Sequence, residues 1–291
     1  MTLLASIVIP NLDSPLVDQT LAALRDQDLD RTAIEILVVG RDEPGRVPRD
    51  GAVRFLETEK PLSAGAARNL GVAKAVSDTI LFTDADCRPA PQWVSSLLTA
   101  LDHSPVAGGS VSFSLTDNRW AVADNIASFN ELLGDRPAGS GSDQPVGSLN
   151  LAIRRQAWDQ VGGFDEELIT SEDYDWILRA RAQGLEVYFE PAARVVHADV
   201  RQDRRALEEH AAWYGRHFNT FRRKHPGVFA KGPTWRSRSR LARTRFPKAW
   251  ISSLQIFVDH PMLLPAWRAL PGVVAFKLAW YRTVLDHWQD P

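Results

Sequence analysis

Short apolar runs alternate with amphipathic stretches through the first two thirds of the chain. The runs are rich in β-branched residues, which predicts strands at residues 6–10, 34–39, 53–56, 79–83, 146–153, 186–190 and 194–197. Between them, apolar positions recur at helical spacing and predict helices at residues 16–27, 64–75, 91–101, 154–161 and 171–183. Continuous apolar strands separated by helices imply an α/β fold with a mostly parallel sheet and helices on both faces.

The pattern changes near residue 200, after which helical periodicity dominates. One amphipathic helix is predicted to end before Pro226-Gly227, and a final helix is predicted to start near Pro271. The apolar positions that mark them are Leu207, Ala211, Tyr214, Phe218, Phe221, Val274, Leu278, Tyr281, Leu285 and Trp288. We therefore expect two domains, an α/β domain over residues 1–200 and a helical extension over residues 201–291.

Residues 134–146 interrupt the periodic pattern of the first domain. Gly, Pro and Ser dominate this segment, and neither strand nor helix periodicity is present in it. The composition predicts a mobile loop, which is either a plain surface excursion or a lid over a site.

The composition is that of an ordinary globular protein, with 291 residues, 44% hydrophobic, 24% charged and a formal net charge of -2. This balance gives no overall field that would attract nucleic acid. Cys87 is the only cysteine, which excludes an internal disulfide and fits a cytoplasmic location. The first residues predict no secretory signal, and no uncharged apolar run reaches the roughly 18–20 residues of a membrane span.

Positive charge is concentrated in one place, because residues 231–248 carry seven cations and no acid, interleaved with Trp235 and Phe246. One interpretation is peripheral attachment to the inner face of a membrane, since cations attract anionic headgroups and aromatic rings favour the interface. The pattern favours the other interpretation, a helical extension that packs on the first domain with its cations solvated. No recognised nucleic-acid module accompanies the charge. The aromatic residues that follow are Trp250, Phe257, Trp267, Trp280 and Trp288.

The motif with the clearest chemistry is Asp84-Ala85-Asp86, which follows the apolar strand Ile80-Leu81-Phe82-Thr83. In a strand-like backbone, residues two apart point to the same side, so both carboxylates can face one ion. Mg²⁺ and Mn²⁺ prefer oxygen ligands, and Mg²⁺ usually takes one or two carboxylates together with substrate phosphates. Taken alone, this short motif is more often a polar loop after a strand.

Further blocks surround this motif in a fixed order. The first block is Ser6-Ile7-Val8-Ile9-Pro10, and the second is Gly65-Ala66-Ala67-Arg68-Asn69-Leu70-Gly71. The third is the strand Ile80-Leu81-Phe82-Thr83 with the acidic motif that follows it. The fourth consists of Gly162-Gly163-Phe164-Asp165-Glu166, Glu172-Asp173-Tyr174-Asp175-Trp176 and Arg179. With these four blocks the sequence resembles the family 2 inverting glycosyltransferases of the GT-A fold. The resemblance extends over residues 6–197, two thirds of the chain.

The resemblance implies a metal-dependent glycosyltransferase of the hexosyltransferase type. Such an enzyme moves a sugar from a nucleotide diphosphate to an acceptor hydroxyl with inversion, in the synthesis of glycans, glycolipids or glycosylated natural products. The expected donor is a UDP-, GDP- or dTDP-sugar, and the expected cofactor is Mn²⁺ or Mg²⁺. The acceptor is expected to be a glycan, a lipid-linked molecule or a small molecule.

On the donor side, the resemblance places Asp86 on the metal and Asp84 near the ribose and the metal shell. Arg68 would offset phosphate charge, and Asn69 either fixes the loop near the nucleotide or makes a structural hydrogen bond. His197 is either a further ligand of the metal or diphosphate, or a hydrogen-bonded histidine at a strand end. The positions matched to the donor are Pro10, Asp42, Arg68, Asn69, Asp84 and Asp86.

On the acceptor side, Asp173 matches the family's general base, which takes the proton of the attacking hydroxyl. The alternative is that this acid only complements the dipole of its helix. Glu172 would orient the acceptor or support the helix. Trp176 is either an acceptor platform or, by the favoured interpretation, a core residue. Asn150 follows small residues in Gly147-Ser148-Leu149-Asn150 that would let a sugar approach the backbone.

One departure from the family pattern leaves the donor nucleotide open. The family has acids directly after its second strand, whereas this chain continues as Gly40-Arg41-Asp42-Glu43. Two other classes of protein share features with this pattern, a sugar nucleotidyltransferase and a non-catalytic nucleotide-sugar binding protein. A sugar nucleotidyltransferase would prefer a Gly-rich loop after the first strand, where Ile9-Pro10-Asn11-Leu12-Asp13 has no glycine. The presence of Asp84, Asp86 and Asp173 together argues against a non-catalytic nucleotide-sugar binding protein.

Overall fold

The computed structural model of the chain describes residues 3–51, 53–141, 144–230 and 237–288. The chain divides into two compact units, which are described separately below. The first contains the residues up to Ser112 together with Glu131–Ala198, and the second contains Phe113–Asn130 together with the residues from Asp199 onward. The boundary expected after residue 200 lies near the second division, but the sequence pattern did not indicate that Phe113–Asn130 belongs with the C-terminal helices.

The first unit is built on one sheet. In the described part of the chain, its strands run in the order β3-β2-β1-β4-β8-β6-β9-β5, and β7 pairs with β9. The strands are β1 (Ala5–Leu12), β2 (Ile34–Arg41), β3 (Arg54–Glu57), β4 (Thr79–Thr83), β5 (Cys87–Pro89), β6 (Val106–Ser112), β7 (Gly139–Gly141), β8 (Asn150–Arg154) and β9 (Val187–His197).

The predicted α/β class is confirmed, with helices on both faces of a central sheet. The helices of this unit are α1 (Val17–Arg25), α2 (Ala64–Lys74), α3 (Trp93–Ala100), α5 (Arg155–Val161) and α6 (Glu172–Ala182). β1 to β4 are parallel, as expected, and β6 is parallel to β9. β8 runs antiparallel to both β4 and β6, and β5 and β7 run antiparallel to β9, so the whole sheet is mixed. α1 lies between β1 and β2, and α2 lies between β3 and β4, so these helical connections return the chain to the same end of the sheet, as parallel pairing requires.

The observed strands differ from the prediction at several positions, among them β5, which was not predicted, and β8, which begins at Asn150 and not at residue 146. Residues 186–190 and 194–197 form one strand, β9, whose register with parallel β6 shifts between Gly109 and Ser110. β6 itself was missed, because its sequence Val-Ala-Gly-Gly-Ser-Val-Ser lacks the apolar bulk that marks the other strands. The segment 134–146, predicted as a loop without regular structure, contributes the short strand β7, and its residues 142–143 lie outside the described part of the chain.

The core of the first unit forms where apolar side chains of the sheet meet those of the helices. The buried cluster includes Val8, Leu37, Phe82 and Leu151 from the strands, and Trp176 from α6. Because β1, β2 and β4 are mutually parallel, their carboxyl ends meet at one edge of the sheet. In open α/β sheets this edge is where ligands bind.

The second unit is helical in its described residues. It contains α4 (Arg119–Phe129), α7 (Arg204–Lys224), α8 (Pro226–Ala230), α9 (Arg238–Asp259), a 3₁₀ segment (Pro261–Ala269) and α10 (Leu270–Asp286). Its apolar core is formed by α9 and α10, with buried side chains Leu241, Ala249, Val274, Tyr281, Val284 and Leu285. Of the predicted basic segment 231–248, residues 231–236, including Trp235, lie outside the described residues.

One helical stretch of this unit, Pro261–Asp286, is long and apolar enough to cross a membrane by length and composition. Its most apolar 18-residue window has a mean hydropathy of 1.3 and is 33% buried. This stretch is not an uncharged run, since it contains Arg268, Lys277 and Arg282. A core helix of a globular protein passes the same test, so this single stretch is weak evidence for a span.

Candidate functional site

The turn after β4 carries the predicted acidic motif at the carboxyl edge of the sheet. The strand ends at Thr83, and the amide of Cys87 donates to the carbonyl of Asp84 at 3.1 Å, which closes the turn. Ala85 is buried beneath the turn, whereas the side chains of Asp84 and Asp86 keep 32% and 28% of their surface exposed. Both carboxylates can therefore meet a ligand at this edge.

A buried arginine joins this turn to the start of α6. Arg68, from α2, donates from Nη2 to Asp84 Oδ1 at 2.6 Å and from Nη1 to Glu172 Oε1 at 2.8 Å. Gly65, one turn earlier on α2, makes room for this approach, because a Cβ at that position would lie 3.1 Å from Glu172 Cγ. The predicted donor-side and acceptor-side acids are thus brought together, although Asp84 and Glu172 are 88 positions apart in the chain.

The charges at this site are incompletely balanced. Burial by itself lowers the pKa of the Arg68 guanidinium, but Asp84, Glu172 and Asp173 outweigh it and raise the pKa above its ordinary value. Burial raises the pKa of Asp84, with a further contribution from Asp86, despite the ion pair with Arg68. Carboxylates whose pKa is raised by burial and by each other are typical of functional sites.

Glu172 and Asp173 begin α6 and have different surroundings. Ser171, which precedes them, has φ of 65°, and its side chain makes no capping hydrogen bond to the helix. A non-glycine residue in left-handed conformation costs about 1–3 kcal/mol and is commonest at functional sites. Glu172 is buried against Arg68, whereas Asp173 is half-buried and reaches the turn before β8.

The Asp173 carboxylate is held in place by Ser148. Asp173 Oδ2 accepts from the Ser148 amide at 2.8 Å and from Ser148 Oγ at 2.9 Å, and Oδ1 accepts from the Tyr174 amide at 2.8 Å. The role of Ser148 was missed in the sequence, where it appeared only as one of several small residues. The contact joins residues 25 positions apart and leaves no local signal in the chain.

Burial, reinforced by the charge of Asp173, raises the pKa of Glu172 to about 7 from an ordinary value of 4.5. Between pH 4.5 and about pH 7, Glu172 keeps its proton in the folded state and loses it in the unfolded state. Its contribution to stability is therefore fully present below about pH 4.5 and is lost as the pH rises through about 7. We expect the free energy of unfolding of the metal-free protein to fall by roughly 1–3 kcal/mol from this group over that window.

Glu172→Gln should flatten this dependence, as measured by urea unfolding between pH 5 and pH 8 in EDTA. Some slope will remain, because the pKa of Asp84 is raised as well. Glu167→Gln, at an exposed position of the same unit, is the control that should keep the wild-type slope. If the free energy of unfolding falls equally with pH in wild type and Glu172→Gln, burial does not raise the pKa of Glu172 as described.

Asp86 and His197 form the second part of the site. His197 ends β9, is buried, and places Nε2 3.5 Å from Asp86 Oδ2. No group of three His, Cys, Asp or Glu side chains arranged to hold a metal is found in residues 3–51, 53–141, 144–230 and 237–288. The predicted set of Asp84, Asp86 and His197 is therefore not a preassembled three-ligand site. It fits an ion that takes one or two protein ligands and completes its shell with phosphate oxygens.

Three predicted contact residues have structural roles instead. Asn69 ties α2 to the segment before α6, since its amide donates to the Phe164 carbonyl at 2.9 Å and its oxygen accepts from the Phe164 amide at 2.9 Å. Trp176 is fully buried, stacks on Trp158 at 5.9 Å, and donates from Nε1 to a backbone carbonyl. The favoured interpretation of Trp176 as a core residue agrees with this position, and the acceptor platform does not.

Asn150 is a third residue whose side chain is already used inside the protein. Its Oδ1 accepts from Trp93 Nε1 at 2.7 Å, and its Nδ2 donates to the carbonyls of Ser110 and Ala193 at 2.8 and 2.7 Å. With 1% of its surface exposed, it cannot also meet a sugar in this conformation. Its role is to pin β8, β6 and β9 together beneath the site.

Asp42 also differs from its predicted role in binding the nucleotide. Its Oδ1 accepts from the Arg46 amide at 3.0 Å and its Oδ2 from the Val47 amide at 2.8 Å, so that the carboxylate organises its own loop. Pro10, the remaining donor-side prediction, lies in β1 opposite Val39 and is partly buried. It lies near the carboxyl edge of the sheet and has no amide hydrogen to donate to a ligand.

Comparisons with known proteins agree with this fold. The model of the family described as Glycosyl transferase family 2 matches residues 6–159, more than half of the chain. Glycosyltransferase AglE of Haloferax volcanii is 26% identical over 196 residues, 63% of this chain and 63% of AglE. Pre-mycofactocin glycosyltransferase of Mycobacterium tuberculosis is 34% identical over 155 residues, 52% of this chain and 33% of that protein. The chain thus spans only part of the length of these curated relatives.

A solved structure gives a similar result for the fold alone. The mannosyltransferase PcManGT from Pyrobaculum calidifontis, in complex with GDP-Man and Mn²⁺, matches with a TM-score of 0.60 at 16% identity. The match covers 99% of this chain and 89% of that one.

Proposed function

This chain belongs to glycosyl transferase family 2, and on that premise we propose that it transfers a sugar from a nucleoside-diphosphate donor to an acceptor hydroxyl. The observation that carries the proposal is the chain of contacts from Asp84 through Arg68 to Glu172, with Asp173 next to it. It joins the acids at the carboxyl edge of the sheet to the acid at the start of α6. A donor held at the first group would present its anomeric carbon to an acceptor held at the second.

We assign the role of general base to Asp173. In a single displacement, the acceptor oxygen forms a bond to the anomeric carbon while the bond from that carbon to the diphosphate oxygen breaks. The hydroxyl proton passes to the Asp173 carboxylate, and the nucleoside diphosphate leaves with the electron pair. Ser148 holds one carboxylate oxygen by two hydrogen bonds, which fixes the side chain in one orientation. The sugar would leave the reaction with inverted anomeric configuration.

The cation that this site would take is Mn²⁺ or Mg²⁺. Asp86 and His197 are the residues placed to hold it, with Asp84 alongside, and the donor diphosphate would supply further oxygen ligands. Such an ion supplies charge stabilisation to the departing diphosphate as a Lewis acid. Arg68 contributes differently from the sequence expectation, because it is buried and sets the positions of Asp84 and Glu172.

The donor class can be identified by the effect of ligands on thermal unfolding. The purified chain is heated with UDP-, GDP- and dTDP-hexoses in Mn²⁺ and again in EDTA. One nucleotide class should raise the melting temperature by about 2–4 °C or more at a hundredfold excess over its Kd, and the rise should largely disappear in EDTA. Release of the nucleoside diphosphate with sugar, glycolipid and small-molecule acceptors then tests for transfer.

Each alternative class predicts a different result in this experiment. A sugar nucleotidyltransferase would release or consume pyrophosphate rather than a nucleoside diphosphate. A non-catalytic binding protein would show the shift in melting temperature without turnover with any acceptor. Either result would reject the proposed transfer. No stabilisation by any nucleotide sugar, with or without metal, would reject the donor site itself.

A further inference from the structure

The second unit has an apolar surface that its own fold leaves uncovered. α9 buries one side against α10 through Leu241, Ala249 and Ser253, but large apolar side chains also line its opposite side and continue into the 3₁₀ segment. Each of them keeps at least 52% of its surface exposed. We call this surface the α9 apolar face, and it consists of Phe246, Trp250, Ile251, Leu254, Val258, Met262, Leu264 and Trp267.

The spacing of these residues shows that the face is continuous along the helix. Phe246, Trp250, Leu254 and Val258 recur every four residues, and residues four apart on a helix are neighbours on one side. Ile251 lies beside this row, three residues before Leu254 and seven before Val258. Single exposed apolar residues are common on protein surfaces, but a contiguous row of this length indicates a surface that meets an apolar partner.

The charges of α9 are distributed unevenly around this face. From Ser237 to Val258 the helix carries Arg238, Arg240, Arg243, Arg245 and Lys248 and no acid. Arg240 and Arg243 are exposed. They are three residues apart, and Arg243 is four residues before Pro247 and eleven before Leu254, so both arginines lie on the same side of the helix as the apolar face. The cations thus extend the apolar face at its N-terminal end. An occupant of this face must combine an apolar interior with negative charge at its border.

Two further cations lie on the other side of the same helix. Arg238 donates from Nε to the Leu285 carbonyl at 3.0 Å, and Arg245 lies over the Phe246 ring at 4.9 Å. Both border a groove of about 1420 Å³ within the second unit, whose wall also includes Phe246 and Trp250. Glu208, Glu209 and Asp286 also line this groove, so its charge is mixed, in contrast to the apolar face, which is bordered by Arg240 and Arg243.

We propose that the α9 apolar face binds the surface of a bilayer that contains anionic phospholipid. Large apolar side chains would enter the boundary between headgroups and acyl chains, and the arginines at the N-terminal end would lie among the phosphates. Trp250 and Trp267 are of the residue type enriched at this depth, because an indole ring is largely apolar and carries one hydrogen-bond donor.

The proposal is tested by sedimentation with vesicles of phosphatidylcholine and of phosphatidylcholine mixed 7:3 with phosphatidylglycerol. The wild-type chain should bind the anionic vesicles about tenfold more strongly than the neutral ones. Ile251→Ser/Leu254→Ser should weaken binding to anionic vesicles about tenfold or more. Arg240→Ser/Arg243→Ser should bring binding to anionic vesicles close to that of neutral ones.

The matched control is Val76→Ser/Leu115→Ser, which removes two apolar side chains of similar exposure outside this face. It should bind as the wild type does, and thermal unfolding should show all variants folded. Failure of the wild type to bind, or equal binding by Ile251→Ser/Leu254→Ser, would overturn the proposal. So would a stable dimer in sedimentation velocity that the same two substitutions convert to monomer, because the face would then be covered by a second copy.

Discussion

Asp173→Asn should reduce the transfer rate by a factor of about 10²–10⁴, which is the usual contribution of a general base. The substitution keeps the shape of the side chain but replaces a proton acceptor with an amide. At about 1.4 kcal/mol for each factor of ten, the loss corresponds to roughly 3–5 kcal/mol of transition-state stabilisation. The comparison uses kcat under saturating donor and acceptor, so that a change in binding is not mistaken for a change in chemistry.

Donor binding should survive in this variant. Asp173 contacts Ser148 and the Tyr174 amide and is not among the direct partners of Arg68, so the contacts of Asp84 and Glu172 with the arginine should remain. Asp159→Asn, the same chemical change at an exposed position on α5, serves as the control and should keep full activity. If Asp173→Asn keeps more than a tenth of the wild-type kcat, the base is another residue.

Asp86→Asn should lower metal-dependent transfer by a factor of about 10²–10⁴, because a neutral amide replaces the carboxylate placed to hold the cation. Charge stabilisation of a departing diphosphate by a bound cation is worth several kcal/mol. Unlike Asp173→Asn, this variant should also lose the rise in melting temperature that Mn²⁺ produces together with the donor. The pair of variants thus separates loss of binding from loss of the proton acceptor.

Asp78→Asn is the matched control for this experiment. Asp78 immediately precedes β4, at the opposite end from the acidic turn, and its side chain is 98% exposed. Its replacement should change neither the metal-dependent stabilisation nor the rate. Full metal response in Asp86→Asn would contradict the assignment of Asp86, and equal activity of the wild type in EDTA and in Mn²⁺ would contradict the metal dependence.

The sequence predicted the elements whose signal is local. Strands β1, β2 and β4 are continuous apolar runs, and α2 and α6 show clear helical spacing, so their existence followed from short-range pattern. β6 was missed because glycines replace apolar bulk in a strand that is nonetheless central to the sheet. A Cβ at Gly109 would lie 1.9 Å from the Ala193 carbonyl oxygen, which explains why this position has no side chain.

The acids of the candidate site were found in the sequence, but the roles of their neighbours were not. Asn69 and Asn150 lie within the expected motifs, yet each uses its amide to join distant segments. A motif indicates which residues are near a site and does not distinguish a side chain that faces the ligand from one that holds the wall. That distinction depends on side-chain direction and burial, which arise from contacts across the sheet.

For this protein, the sequence by itself determined the α/β pattern, the acidic turn after β4 and the resemblance that made the turn meaningful. Each depends on residues close together in the chain, where spacing alone carries the information. Only the tertiary structure decided that one buried arginine joins Asp84 to Glu172, that Ser148 holds Asp173, and that the apolar face of α9 is uncovered. Those features depend on which distant segments meet and which surfaces stay exposed, and these are set by packing over the whole unit.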